Sequence, residues 1–205
     1  MKTKVKICGI TNLDDALVAV ESGADLLGFV FYKKSKRFIR VDKAKEIIKK
    51  LPKTILKVGV FVNEDIKKVK EIVKLLKLDF VQLHGDEDEV YLKKLKGARI
   101  IKAIRVKNKT SLSGLEGLNC DLFLFDTFKN ESFGGTGKSF DWSLAKEIKL
   151  IKKPYVISGG LTTQSVDKAV KTFIPFAVDV SSGVEKSPGN KNATLMKEFI
   201  ANAKR

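Results

Sequence analysis

The sequence predicts an α/β fold closed as a (β/α)8 barrel, with residues 1–205 in a single domain. Three observations carry this. Eight short runs of β-branched and aromatic residues alternate with longer amphipathic runs, the pattern of a parallel sheet with crossover helices. The count of eight favours a closed TIM barrel over an open doubly wound sheet. Aspartate followed by two apolar residues recurs before alternate strands, at Asp25-Leu-Leu, Asp79-Phe-Val and Asp121-Leu-Phe, a faint repeat of two strand–helix units. At 205 residues the barrel must be compact, since about 200 is the lower limit for the fold.

The elements follow in order. The first strand, 4–8, ends at Cys8-Gly9. Asn12 can cap a helix over 13–22, and Asp14 and Asp15 fall in its first turn, where the helix dipole favours anions. Gly23 can take the left-handed conformation that ends a helix. A second strand, 26–31, precedes a long connection, 32–40, and a helix over 41–51. The third strand, 57–62, leads to a helix over 64–75, and the fourth, 80–84, to one over 87–95. The fifth and sixth strands are 100–105 and 122–127, with a further crossover helix implied by the alternation. A second long connection, 128–140, precedes a helix over 142–148. Strands 155–158 and 177–181, with helices 163–172 and 193–203, complete the series.

Both long connections leave the C-terminal ends of strands, the face on which such barrels place active sites. Long loops in a compact domain tend to be functional. The second contains Gly134-Gly135-Thr136-Gly137-Lys138, which suits a mobile lid better than an ordinary connection.

Composition narrows the class. The net charge is +16, from 40 Lys and Arg against 24 Asp and Glu. Lysines recur throughout, as in Lys43, Lys45, Lys49, Lys50 and Lys67, Lys68, Lys70, Lys74, on segments with helical apolar spacing. They read as solvated outer faces of helices rather than a nucleic-acid patch. No apolar run is long enough to span a membrane, and the N-terminus lacks the pattern of a signal peptide. Two cysteines, Cys8 and Cys120, are too few for a disulfide framework, so a cytoplasmic setting is expected. The lone histidine, His84, with two cysteines gives no recognisable zinc cluster, and no metal is expected.

Several residues carry chemistry. Lys6 and Cys8 share one face of the first strand. In the barrel mouth, Cys8 is a nucleophile or base once ionised, with nearby cations lowering its pKa; the alternative is a buried structural cysteine. Asp126 follows four apolar residues, so it is paired, protonated or at the mouth; a protonated Asp there is a candidate general acid, and the alternative is a helix cap. Two loops suit phosphate: Ser158-Gly159-Gly160-Leu161-Thr162 after strand seven, and Ser181-Ser182-Gly183-Val184-Glu185 after strand eight. Glycines let backbone N–H groups approach an anion, and a following helix N-terminus adds its dipole. These loops are where the fold recurrently binds phosphate. Arg37 can hold a carboxylate through a fork of hydrogen bonds, or be one more surface charge. Asp179, inside strand eight, can pair with Lys6 or meet a sugar hydroxyl. His84 in Gln82-Leu-His84-Gly85 reads as a satisfied wall residue.

Taken together, the motifs resemble the phosphoribosylanthranilate isomerase family of tryptophan biosynthesis. The matching stretches are Lys6-Ile-Cys-Gly-Ile-Thr11, Gly28-Phe-Val-Phe31 with Ser35-Lys-Arg37, and Gly59-Val-Phe-Val-Asn63. They continue through Val81-Gln-Leu-His-Gly85, Asp126-Thr127, Gly134-Gly-Thr-Gly-Lys138 with Phe140-Asp-Trp142, Ser158-Gly-Gly-Leu161 and Val178-Asp-Val-Ser-Ser-Gly-Val-Glu185. The resemblance implies an Amadori rearrangement of N-(5-phosphoribosyl)anthranilate to 1-(2-carboxyphenylamino)-1-deoxyribulose 5-phosphate. It implies Asp126 as general acid, Cys8 as general base and Arg37 on the anthranilate carboxylate. It implies no metal and no redox cofactor, no nucleic-acid or membrane partner, and a monomer or homodimer.

For the base to work, the site must lower a thiol pKa from about 8.5 or use a minor population of thiolate. Lys6 is the expected source of that lowering. Three rivals remain. An aminoimidazole-ribotide type of isomerase carries Asp rather than Cys on strand one. A metal-dependent epimerase needs more histidines than one. A basic nucleic-acid-binding module would show steeply salt-dependent binding.

Overall fold

A computed structural model describes residues 2–127 and 142–205. Eight parallel strands close into a barrel in sequential order, β1 pairing with both β2 and β8. They are β1 (Lys4–Cys8), β2 (Leu26–Val30), β3 (Leu56–Phe61), β4 (Phe80–Leu83), β5 (Ile100–Val106), β6 (Leu122–Thr127), β7 (Tyr155–Ile157) and β8 (Ala177–Val180). The helices are α1 (Leu13–Glu21), α2 (Val41–Ile48), α3 (Ile66–Leu76), α4 (Glu89–Lys94), α5 (Ala145–Lys149), α6 (Val166–Phe173) and α7 (Ala193–Ala203).

The expected helix between the fifth and sixth strands is a correction. Two 3₁₀ turns, Lys109–Leu112 and Leu115–Gly117, stand there instead. The segment is short, and its Ser, Asn and Gly residues favour turns over a helix interior. A small antiparallel hairpin, β9 (Glu185–Ser187) with β10 (Asn190–Lys191), also precedes α7. The three-glycine connection expected as a lid lies outside the described residues.

Helix starts follow the caps. Asn12 accepts from the Asp15 backbone N–H, as its sequence position implies. Asp65 caps α3 and Asp88 caps α4, so Glu64 and Glu87 precede those helices rather than opening them. The helix expected from Thr163 begins at Val166. The one expected from Trp142 opens as a 3₁₀ turn, and α5 starts at Ala145.

The aspartate repeat has a structural cause. Asp25, Asp79 and Asp121 accept the backbone N–H groups of Val5, Lys57 and Ile100 at 2.9, 2.8 and 2.7 Å. Each sits at the start of an even strand and satisfies a donor near the start of the odd strand before it. The period of two units is therefore a device of the N-terminal rim.

The barrel interior is layered. Leu26, Val58, Phe80, Ile101, Leu122, Leu124 and Val156 form an apolar floor. Side chains two residues further along a strand stand on the same face. Leu124 is thus followed by Asp126, Phe80 by Gln82, Val156 by Ser158 and Ala177 by Asp179. A larger apolar layer, including Leu27, Phe29, Phe123, Phe173 and Phe199, packs strands against helices. The lysines at 43, 49, 50, 67, 68, 70 and 74 are exposed and Lys45 is half-buried, consistent with outward helix faces.

Candidate active site

The polar layer opens on a cleft at the C-terminal ends of the strands. Its wider part, about 590 Å³, is lined by Cys8, Tyr32, Arg37, Gln82, His84 and Asp126 among others. A second part of about 340 Å³ is lined by Gly159, Gly160, Ser182 and Gly183. Asp126, Ser158, Asp179 and Ser181 line both, so the two are lobes of one site. Of the residues singled out from the sequence, Cys8, Arg37, His84, Asp126, Gly159, Gly160, Asp179, Ser182 and Gly183 line at least one lobe, and Lys6 lines neither.

Lys6 lies beneath, fully buried, paired with Asp179 at 2.9 Å. The two are partners in the β1–β8 register, which places their inward side chains side by side. Of the two roles open to Asp179, pairing with Lys6 is therefore realised, and Ser158 Oγ also donates to it at 3.3 Å. Burial opposes the charge on Lys6, but Asp179 and Cys8 outweigh it and hold its pKa above the ordinary value.

Cys8 is 8% exposed. Its neighbour across β2 must be glycine: a Cβ at Gly28 would lie 2.7 Å from Cys8 Sγ and 3.2 Å from Lys6 Cε. The expected lowering of the thiol is a correction. Burial pushes it up, Lys6 pulls it down, and Asp179 pushes it up again, leaving it above its ordinary value. Lys6 fails to invert the shift because its charge is already shared with Asp179 at contact distance.

Asp126 ends the inward face of β6 and is 6% exposed. His84 Nε2 lies 3.1 Å from its Oδ2, and Gln82 Nε2 lies 2.9 Å from His84 Nδ1. His84 is thus more than wall: it touches the carboxyl group. Gln82 was not legible as a site residue, although an amide between apolar neighbours on a strand was a usable signal.

Arg37 reaches the cleft from the connection after β2. Its Nε and Nη2 donate to both carboxylate oxygens of Glu185. The fork expected for a ligand is therefore filled on one edge, and among the described residues the Nη1 side meets no acceptor. Glu185 is held in turn by Lys191 at 2.9 Å. Lys191 is fully buried, and its ammonium also donates to Cys8 O at 2.6 Å and Ser181 O at 3.3 Å. Burial pushes the Glu185 carboxyl up, but Arg37 and Lys191 bring it below its ordinary value. Burial lowers the Lys191 pKa despite Glu185. Nothing local in Asn190-Lys-Asn marks this lysine; only chain closure brings it beneath Cys8.

The glycine loops form the narrow lobe. Gly159 and Gly160 have φ of +87° and +66°, a region open to few other residues. A Cβ at Gly183 would lie 2.0 Å from the Leu161 carbonyl oxygen, so the two loops touch backbone to backbone. Among the described residues the N–H groups of Gly160, Ser182 and Gly183 meet no acceptor, leaving donors for an anion. The expected helix dipole is smaller than thought. A three-residue 3₁₀ turn follows β8, and α6 begins six residues beyond Gly160. Among the described residues no group of three His, Cys, Asp or Glu is gathered for a metal ion, and no helix is long and apolar enough to cross a membrane.

The family model for N-(5'phosphoribosyl)anthranilate (PRA) isomerase matches residues 5–202. The chain is 47% identical to the N-(5'-phosphoribosyl)anthranilate isomerase of Trichlorobacter lovleyi, over 98% of each chain. It superposes on the solved phosphoribosyl anthranilate isomerase of Thermotoga maritima with a TM-score of 0.93 and 46% identity, over 98% of each chain. A further solved isomerase, in complex with reduced 1-(o-carboxyphenylamino)-1-deoxyribulose 5-phosphate, matches at a TM-score of 0.89 and 43% identity, again over 98% of each. With its motifs, its eight-stranded barrel and these matches in agreement, the chain belongs to the N-(5'-phosphoribosyl)anthranilate isomerase family.

Proposed function

We propose that the two-lobed cleft converts N-(5-phosphoribosyl)anthranilate to 1-(2-carboxyphenylamino)-1-deoxyribulose 5-phosphate by general acid–base catalysis. The observation that carries this is the order of groups along the cleft. Backbone donors of Gly160, Ser182 and Gly183 lie in one lobe, Asp126 is shared, and Cys8 and Arg37 line the other. The substrate has the same order: phosphate, ribose ring, anthranilate carboxylate.

The glycine loops, including Gly159, bind the phosphate. Asp126, protonated, gives its proton to the ribose ring oxygen, and the C1–oxygen bond breaks to leave a Schiff base. Cys8, as the thiolate, removes the proton from C2 of the sugar. The electron pair moves toward the iminium nitrogen, giving an enolamine that tautomerises to the ketone. Asp126 regains a proton from solvent and Cys8 loses its own, so the enzyme is unchanged. The imine supplies the electron sink. The raised Cys8 thiol makes thiolate a minor species in the free protein. Because one group must be protonated and the other ionised, turnover against pH is bell-shaped, and the active form is a minor population. The Nη1 side of Arg37 meets the carboxylate, while Glu185 fixes the plane of the guanidinium. Holding the substrate at both ends supplies the orientation that proton transfer needs.

The deciding experiment adds purified protein to freshly made phosphoribosylanthranilate and follows anthranilate-derived fluorescence. A protein-dependent loss is expected. A signal that decays no faster than without protein overturns the assignment. Faster turnover of the aminoimidazole-ribotide aminoaldose would replace it with that isomerase.

A further inference from the structure

Lys102 is a buried lysine in a layer built for apolar side chains. Its neighbours on β5, Ile101 and Ala103, belong to the apolar floor inside the barrel. Strand alternation therefore turns Lys102 outward, toward the helices, beside its register partner Leu83. It is 5% exposed. Its ammonium donates to Glu87 Oε2 and to the Gly85 carbonyl, both at 2.8 Å. A buried ion pair is often no more stabilising than well-packed apolar residues of similar volume. Neither Lys102 nor Glu87 is among the residues that line the cleft. What the pair does achieve is the fixing of one turn.

That turn, 84–87, joins β4 to α4. The Glu87 carboxylate accepts the Gly85 N–H at 3.0 Å and the Asn63 N–H at 2.8 Å. Asn63 Oδ1 accepts the Asp86 N–H at 2.7 Å. Gly85 is thus gripped at both ends, its N–H by Glu87 and its carbonyl by Lys102. A Cβ at Gly85 would lie 2.8 Å from the Asn63 backbone nitrogen, so a larger residue displaces the turn. His84 is the residue just before. Its N–H donates to the Phe61 carbonyl at 2.9 Å, and its ring meets Asp126 Oδ2 at 3.1 Å. Asp86, just after, is paired with Arg105, the register partner of Asp126. A tilt of Gly85 would carry both contacts away from β6.

We propose that Lys102 and Glu87 are positioning residues for the reaction: they clamp the turn after β4, and through it hold His84 against the Asp126 carboxyl group. This rests on the acid role given to Asp126 above. The contact between His84 and Asp126 restrains the rotation of the carboxyl group whichever of the two carries the shared proton. No proton moves along the clamp.

The effect of losing the clamp falls on chemistry rather than on binding. The glycine loops and Arg37, which take the two ends of the substrate, stand on other strands and bond to neither Lys102 nor Glu87. Proton transfer, by contrast, depends steeply on geometry, and a misplacement of about 1 Å caused far from the reacting atoms can cost on the order of 10²-fold.

A double-mutant cycle on turnover tests this. Lys102→Met should lower kcat about tenfold with KM within about twofold, less than the ~10²–10⁴-fold carried by an acid–base group itself. In a His84→Ala background the same change should alter kcat by less than about twofold, because the route to Asp126 is already cut. Lys102→Met with Glu87→Gln also removes the unpaired charge, so its melting temperature should return toward wild type while kcat stays low. His84 is the only histidine in the chain, so ¹⁵N-histidine labelling follows a single imidazole, whose ring signals should move in that double variant. An unchanged kcat in Lys102→Met, a kcat that recovers along with the melting temperature, a full additional loss in the His84→Ala background, or unmoved imidazole signals overturns the clamp. If Lys102→Met does not fold, the neutral double variant takes its place in the cycle. An inactive wild type removes the reaction and this inference with it; an active wild type with additive losses removes the clamp alone.

Discussion

Lys191→Met gives the sharpest test of how the site is supported. Methionine keeps the length and the apolar stem but removes the hydrogen bonds donated to Glu185, Cys8 O, Ser181 O and Ser181 Oγ. The Glu185 side chain is 4% exposed, so its carboxylate cannot turn to water. Breaking a buried pair by removing one partner costs about 3–5 kcal/mol. Arg37 still balances Glu185 through its Nε–Nη2 edge, which places the expected loss near the lower end, about 3 kcal/mol. For a chain of this size that lowers Tm by about 6–12 °C. The pH dependence has a defined sign. Arg37 and Lys191 overcome burial and hold the Glu185 pKa below its unfolded value. Its contribution is thus present above the ordinary carboxylate range and is lost as pH falls through the lowered pKa. Removing Lys191 moves that loss to higher pH. Urea titration at neutral pH and thermal melts from pH 7 downward measure both effects. Lys191→Met with Glu185→Gln should recover part of the loss, because the unpaired charge goes too. A single variant within about 0.5 kcal/mol of wild type, the usual surface range, would refute the claim that this network carries stability.

Three further outcomes follow from the same geometry. Cys8→Ser and Asp126→Asn should each lower kcat by at least ~10²-fold while leaving the melting profile near wild type, since a hydroxyl stays protonated and an amide delivers no proton; near-normal turnover in both would reassign the roles. Alkylation of Cys8 by iodoacetamide should be slow at neutral pH and accelerate only above the ordinary thiol range, because burial raises the thiol; reaction at pH 7 as fast as a free thiol contradicts the placement. Gly160→Val should weaken binding of the product analogue more than it slows the bound substrate, since a branched residue at φ of +66° is strained and crowds the anion; unchanged affinity would move the phosphate elsewhere.

Much of this was legible without a structure. Strand alternation alone placed Lys6 with Cys8 on one face and gave Asp126 an exit from the apolar floor, because a period of two is a property of the local backbone. The same locality made Asn12 readable as a cap and Gly159-Gly160 as a turn, where both glycines take positive φ. Where local preference was weak, the reading failed: the 107–121 segment contains too little helical periodicity to hold a crossover helix, and 3₁₀ turns took its place.

The sequence by itself determined the order of elements, the face that carries the site, and the side chains that end each strand. Only the tertiary structure decided who partners whom. Lys191 reaches the Cys8 carbonyl across 183 residues, Glu185 fills one edge of Arg37 across 148, and Lys6 meets Asp179 across 173. His84 and Asp126 join across 42. These contacts exist because the eighth strand closes against the first and the strand ends converge on one mouth. Their energies and pKa shifts depend on distance and burial, and neither is a function of position along the chain. That is why Cys8 was recognisable as a candidate base from its strand, while the direction of its pKa shift was not.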